Sequence, residues 1–220
     1  MSATRVAVVD YGAGNLVSIE QALTTVGARP ARATSSKDLD GADLLVVPGV
    51  GAAAPAMEQL HAAALVEPIR RWIAADRPFL GICLGLQLLF EGSDEDGAET
   101  LGLLPGRTRR LEAAPTLPHI GWNQVERRRR HDAFVGIADG ADFYFVHSYA
   151  GAVEGSAADD IVLATTTHGR PFVSAVARGR LLGVQFHPER SGTDGLRLLA
   201  NVVRLAALTA TPAPGVAVTA

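Results

Sequence analysis

An α/β fold built on a mostly parallel central sheet is predicted by the order of signals along this chain. From residue 5 to residue 92, apolar runs of strand length alternate with stretches whose apolar residues fall at helical spacing. After Gly106 the alternation stops, and short strand-like pieces separated by Gly and Pro predict antiparallel hairpins added to the sheet edge, not another domain. With 220 residues and 48% hydrophobic content, one domain can bury a substantial core.

Arg5-Val6-Ala7-Val8-Val9-Asp10 is an apolar run suited to a buried parallel strand, stopped at Tyr11-Gly12-Ala13-Gly14. Leu16, Ile19, Leu23 and Val26 then recur at helical spacing, and Gly27 ends the helix. Gly12 and Gly14 after a strand invite a dinucleotide-binding reading, but position 17 is valine where that fingerprint needs its third glycine. Residues 28–33 predict a second short strand, and Ser35 to Leu39 a capped helical turn. Leu44-Leu45-Val46-Val47 is a third buried strand, broken at Pro48-Gly49-Val50-Gly51. Those glycines fit either a tight strand-to-helix turn or a loop whose exposed N–H groups hold an oxyanion.

Residues 56–75 read as helix with a break at Pro68, leading to an apolar strand at Phe79. Ser93-Asp94-Glu95-Asp96 reads as a solvated acidic loop. Strand-like pieces follow at 107–111, 123–126, 143–146, 161–166 and 172–178. Arg127-Arg128-Arg129-Arg130 has no interleaved aromatics and reads as a solvated hairpin tip, not a nucleic-acid patch. A final helix carries Leu196, Leu199 and Val203 on one face. Residues 1–208 are expected to form one domain, and 209–220, rich in Thr, Ala and Pro, a disordered tail.

A formal charge of -3, from 20 basic and 23 acidic residues, offers no global field for nucleic acid or an anionic membrane. The single cysteine excludes an internal disulfide, and with no charged-then-apolar leader before Arg5 the expected compartment is the reducing cytosol. Apolar runs such as 44–47 and 84–90 are too short to span a bilayer. The six histidines are scattered without metal-ligand spacing, so no metal or cofactor is expected.

Chemistry concentrates in Pro78-Phe79-Leu80-Gly81-Ile82-Cys83-Leu84-Gly85-Leu86-Gln87. Gly81 and Gly85 flank Cys83 at the spacing of a nucleophile elbow, where missing side chains let a strand bend sharply into a helix. Free N–H groups at that bend favour thiolate over thiol and can bind an oxyanion. Gln87, four residues on, shares the helix face of Cys83. Alone, such a cysteine is as readily a small buried apolar residue.

A base for it is offered by Leu181-Leu182-Gly183-Val184-Gln185-Phe186-His187-Pro188-Glu189. Pro188 keeps His187 extended, so His187 and Glu189 point to the same side and the carboxylate can fix the imidazole's tautomer. Together these residues outline a Cys83-His187-Glu189 triad. His147, in Tyr144-Phe145-Val146-His147-Ser148-Tyr149, is the rival base, without a neighbouring carboxylate. Trp122 fits either a core aromatic or an exposed anchor.

Gly81-Ile82-Cys83-Leu84-Gly85 together with Gln185-Phe186-His187-Pro188-Glu189 resembles the class I glutamine amidotransferases, which hydrolyse glutamine to glutamate and ammonia. Asp10-Tyr11-Gly12-Ala13-Gly14-Asn15-Leu16, Pro48-Gly49-Val50-Gly51, His119-Ile120-Gly121-Trp122-Asn123 and the segment 144–149 narrow the resemblance to the glutaminase subunits of imidazole glycerol phosphate synthase, from residue 5 to about residue 207. The resemblance implies L-glutamine as substrate and backbone oxyanion donors at Val50, Gly51 and Leu84. It implies substrate contacts at Gln87, Glu95, Ser148 and Tyr149, and a partner interface at Tyr11, Asn15, Trp122 and Arg190. The implied partner is a separate (βα)8-barrel cyclase. It uses the ammonia to make imidazole glycerol phosphate and an aminoimidazole carboxamide ribotide in histidine biosynthesis, and this chain alone is expected to be nearly inactive.

Leu86, Ala53 and Arg190 depart from the residues usual there, methionine, phenylalanine and lysine; Arg190 keeps the charge but changes its geometry. Two rivals remain. An anthranilate-synthase-type glutaminase would lack the Asp-Tyr-Gly opening and the Gly-Trp-Asn segment, and a non-catalytic glutamine-binding subunit would retain an elbow cysteine without using it.

Overall fold

Residues 3–12 and 14–208 are described by a computed structural model. The segment 209–220, expected to be a disordered tail, lies outside the described residues, as does Ala13.

Five parallel strands form one half of a nine-stranded sheet, in the order β2 (Arg29–Ala33), β1 (Arg5–Val9), β3 (Leu44–Gly49), β4 (Phe79–Cys83) and β12 (Leu181–Val184). The sheet continues antiparallel through β11 (Arg170–Arg178), β10 (Val162–His168), β7 (His119–Arg127) and β8 (Ala141–His147). The hairpins expected after Gly106 are therefore largely extensions of the same sheet. A second, three-stranded sheet joins β5 (Gly92–Ser93), β6 (Arg107–Arg110) and β9 (Tyr149–Ala152).

The parallel strands are continuous apolar runs because both faces are covered. Their side chains alternate between two core layers. Val6 and Val8, with Leu44, Val46, Leu80 and Ile82, meet α1 (Leu16–Thr25) and α6 (Gly192–Ala207). Ala7 and Val9, with Leu45, Val47 and Phe79, meet α2 (Ala53–Ala62) and α3 (Val66–Ala74). Helix α1 begins at Asn15, whose side chain accepts from the Ser18 N–H as a helix cap.

Three expectations need correction. The helix expected over 56–75 is two helices, and it breaks at Ala64, which adopts φ 53°, not at Pro68. Pro68 sits in the first turn of α3, where no intrahelical N–H bond is needed. The helix after Cys83, α4 (Leu84–Gln87), is a single turn, so its dipole adds little at the sulfur. Residue 161, expected in a strand, instead closes the short helix α5 (Ser156–Ile161).

Phe186 fixes the chain just before His187. It is wholly buried, with ring centroids 4.2 Å from Phe143 and 5.8 Å from Phe145. Phe186→Ala is expected to lose about 3–5 kcal/mol, read as a lower urea midpoint at unchanged slope.

Candidate active site

Strand β4 lies between β3 and β12, and its last residue, Cys83, turns out of the sheet with φ 53° and ψ −107°. A non-glycine residue in this region costs on the order of 1–3 kcal/mol and persists only where its surroundings enforce it. The flanking glycines are set by space. A Cβ on Gly85 would stand 1.8 Å from the Val47 carbonyl oxygen, and one on Gly81 would stand 2.6 Å from the Gly85 oxygen. The bend is thus pressed against the neighbouring strand, with Cys83 only 4% exposed.

Strand β12 runs parallel to β4, with Val184 opposite Ile82, so both chains emerge at the same sheet edge. His187 is anchored there by its N–H donating to the Tyr144 carbonyl at 2.8 Å. Its Nδ1 lies 2.8 Å from Glu189 Oε1, and both side chains are nearly buried. A carboxylate only accepts, so Nδ1 carries the proton and Nε2 is the basic atom. Nε2 is buried and makes no hydrogen bond among the described residues. Cys83 nonetheless acts on the ring electrostatically. Burial alone would lower the imidazole pKa; hydrogen bonding and charge from Cys83 and Glu189 outweigh it and push it up to about 10.

His147 is not free to serve as the base. Its Nδ1 donates to the Tyr149 carbonyl at 2.8 Å, and its Nε2 lies 3.2 Å from His119 Nδ1. Burial, only partly offset by the Tyr149 hydrogen bond, lowers its pKa to about 3.

Around the elbow, Gln87 is buried and its Nε2 donates to the Tyr149 carbonyl at 2.8 Å and to Gln185 Oε1 at 3.1 Å. Ser148 and Tyr149 are half-buried where the chain leaves β8 for β9, so they cross from the large sheet to the small one. Gly49 pairs with Cys83 across β3 and β4, which brings Val50 and Gly51 beside the elbow, next to Leu84. Val50 is 46% exposed, and Gly51 has φ 94°. Glu95 is exposed; partial burial and then Asp96 push its carboxyl up. Its neighbours have structural tasks, since Asp94 pairs with Arg107 and Asp96 accepts from the Ala54 N–H at the start of α2.

Asn15, Trp122 and Arg190 are exposed on a continuous face. Arg190 lies 4.1 Å over the Tyr144 ring, and Tyr144 pairs with Trp122 across β7 and β8. Ile120 and Trp122, two residues apart in β7, project from one side and are 60% and 56% exposed. Tyr11 is a correction. It is buried and its hydroxyl donates to the Pro48 carbonyl at 3.0 Å, so its side chain braces the 48–51 loop from within and is not a surface contact. Gly49 is required for this, because a Cβ there would meet the Tyr11 oxygen at 2.1 Å.

Sequence reasoning missed Gln185, whose Nε2 donates to Cys83 Sγ at 3.6 Å. The signal available was only its place, two residues before His187 in the segment that leaves β12. Among the described residues no group of three His, Cys, Asp or Glu side chains is disposed to hold a metal ion.

Residues 7–205 match the family model for class-I glutamine amidotransferases. The chain is similar to the imidazole glycerol phosphate synthase subunit HisH of Microcystis aeruginosa, 47% identical over 205 residues, covering 91% of this chain and 95% of the relative. It is also similar to the subunit of that name from Symbiobacterium thermophilum, 48% identical over 202 residues, covering 91% and 94%. Among solved structures, a glutamine amidotransferase superposes with TM-score 0.72 at 21% identity, covering 92% of this chain and 98% of that one. PurLQS from Thermotoga maritima gives TM-score 0.72 at 19% identity, covering 92% and 99%; at such identities the likeness speaks to the fold.

Two measurements test this geometry. Because the His187 pKa is raised from 6.5 to about 10, its protonation contributes stability that is full below about pH 6.5 and is lost as pH rises through about 10. Urea midpoints across that window should fall more steeply for the wild type than for His187→Gln. Gly85→Ala, which drives a methyl into the Val47 carbonyl, should cost about 3 kcal/mol or more and blunt alkylation of Cys83 by iodoacetamide.

Proposed function

Because the chain belongs to the class-I glutamine amidotransferase family, and within it to the HisH-type glutaminase subunits of imidazole glycerol phosphate synthase in histidine biosynthesis, we propose that Cys83, His187 and Glu189 carry its glutaminase chemistry. The observation that carries the reading is the His187–Glu189 contact of 2.8 Å, which holds Nδ1 on the carboxylate and leaves Nε2 as the ring atom that can receive the Cys83 proton, at the edge where the strained Cys83 emerges.

His187 Nε2 takes the Cys83 proton, and the thiolate attacks the side-chain carbonyl carbon of glutamine. Backbone N–H groups at Leu84 and at Val50 or Gly51 receive the oxyanion; the pairing of Gly49 with Cys83 supports this. The imidazolium then protonates the amide nitrogen, ammonia leaves, and a glutamyl thioester remains. His187 next activates water, which breaks the carbon–sulfur bond and releases glutamate. Glu189 holds the tautomer throughout. Gln87, Glu95, Ser148 and Tyr149 are the proposed substrate contacts.

The ammonia is delivered to a (βα)8-barrel cyclase subunit in a heterodimer. The exposed pair Ile120 and Trp122 supports a partner on that face, since aromatic anchors dominate interface energetics. Asn15 and Arg190 line the same region, where a cavity of about 80 Å³ is bounded by Pro48, Val50, His187 and Glu189. No helix among the described residues is long and apolar enough to cross a membrane. A working thiol suits the reducing cytoplasm.

Glutamate release from glutamine should be negligible for the purified chain and appear when the cyclase subunit and its ribonucleotide ligand are added. Cys83→Ala should abolish it, and Glu189→Gln should lower kcat by about 10²–10⁴. Turnover retained by Cys83→Ala would remove the triad.

A further inference from the structure

Gln185 is a wholly buried amide at the exit of β12, and the triad chemistry assigns it nothing. A buried amide must satisfy its oxygen and its N–H bonds or lose about 1–3 kcal/mol for each orphan. Its Oε1 accepts from Gln87 Nε2 at 3.1 Å, and its Nε2 lies 3.6 Å from Cys83 Sγ. The surroundings dictate that orientation. Gln87 Nε2 also donates to the Tyr149 carbonyl, which only accepts, so the NH2 end of Gln87 faces Gln185 and must meet an oxygen there. The NH2 of Gln185 is thereby turned to the sulfur.

The Tyr149 carbonyl is held in turn from the other side. His147 Nδ1 donates to it, so His147 Nε2 must accept from His119 Nδ1, and His119 Nε2 from Asn123 Nδ2 at 3.2 Å. Asn123 also donates to the Thr167 carbonyl at 2.9 Å. Both imidazoles are neutral, since burial, then His168, keep His119 at about 4, and burial keeps His147 at about 3. One directed chain, from Asn123 through His119 and His147, therefore ends on the Tyr149 carbonyl; a second runs from Gln87, which donates to the same carbonyl, through Gln185 to Cys83, and each group in the two has one consistent orientation.

We propose that Gln185 is a catalytic hydrogen-bond donor to the Cys83 thiolate, with Gln87, His147 and His119 as positioning residues that hold its amide in that orientation. The inference rests on Cys83 being the nucleophile, as proposed above. When the thiol proton passes to His187, the sulfur carries a full charge in a nearly closed site, and the N–H···S bond strengthens without giving up its proton. As the sulfur–carbon bond forms, the charge moves to the carbonyl oxygen and the bond relaxes. Ammonia leaves with the imidazolium proton, water then cleaves the thioester, and the charge returns to the sulfur. The other titratable groups acting on this pair are Tyr11 from the loop after β1, His147 from β8 and Glu189 beside His187. A neutral substitution at Gln185 leaves all of them in place.

The test is the pH dependence of Cys83 alkylation by iodoacetamide in the full chain. Gln185→Met keeps the volume and removes the donor; the thiol pKa should rise by roughly one unit, slowing alkylation about tenfold at pH below it. Gln185→Glu, which sets a carboxylate against the sulfur, should shift it further. His147→Leu should shift the profile the same way by less, while His147→Gln, which retains a donor, should restore it. In isotope-labelled wild type, the Gln185 side-chain amide resonance should move with the same midpoint as the alkylation rate. A wild-type profile in folded Gln185 variants, or an amide resonance that stays still through the Cys83 titration, overturns the proposal. The resonance needs no substitution, so a misfolded variant does not stop the test. Alkylation needs neither glutamine nor cyclase, so failure here is distinct from failure of the glutaminase reading, which turnover by Cys83→Ala reports.

Discussion

The positive φ of Cys83 is the constraint on which the rest of the site depends. A cysteine does not rest there unaided, and the enforcement comes from backbone packed on backbone. Gly85 lies against the Val47 carbonyl with no room for a methyl, and Gly81 lies against Gly85. Because rigid main chain holds the bend, the direction in which Cys83 leaves the chain is set by the sheet. The strain is the cost of aiming one atom away from the strand that carries it.

Parallel pairing supplies the second requirement. Strands β4 and β12 are distant in sequence, yet as parallel neighbours they end at the same edge of the sheet. That is where open α/β sheets present their loops for chemistry. The antiparallel extension then adds what a purely parallel sheet would lack. Strand β8 ends at His147, the chain crosses at Ser148 into the small sheet, and the Tyr149 carbonyl becomes the fixed point for Gln87 and His147. Inner and outer faces of β7 divide the work, with His119 and Asn123 turned inward and Ile120 and Trp122 outward.

How much of this was legible depended on whether the signal was local. The Gly-x-Cys-x-Gly bend and the His-Pro-Glu step each act through a few consecutive residues, so the adjacency of His187 and Glu189 was legible, although Glu189 reaches the ring from a 3-10 turn, Pro188–Arg190, and not along the extended chain expected there. Strand β9 could not, because its pairing with β6 joins residues such as Arg109 and Ala150 that no local pattern links. Pro68 misled because a proline is tolerated in a first turn, and the true break at Ala64 carries no breaker residue at all. Tyr11 was assigned to the interface by resemblance alone, whereas its hydroxyl occupies the space that the missing Gly49 side chain leaves. Gln185 was passed over because its partners, Gln87 and Cys83, are about a hundred residues away and no local pattern links them.

The outward side of β7 has a consequence for how such a chain is handled. Ile120 and Trp122 leave two large apolar side chains in water, edged by Tyr144 under Arg190. Surface of this kind gains about 25 cal/mol for each Å² withdrawn from solvent, whoever withdraws it. Left uncovered, such a surface favours contact between copies of the chain, so its cost is paid in colloidal stability.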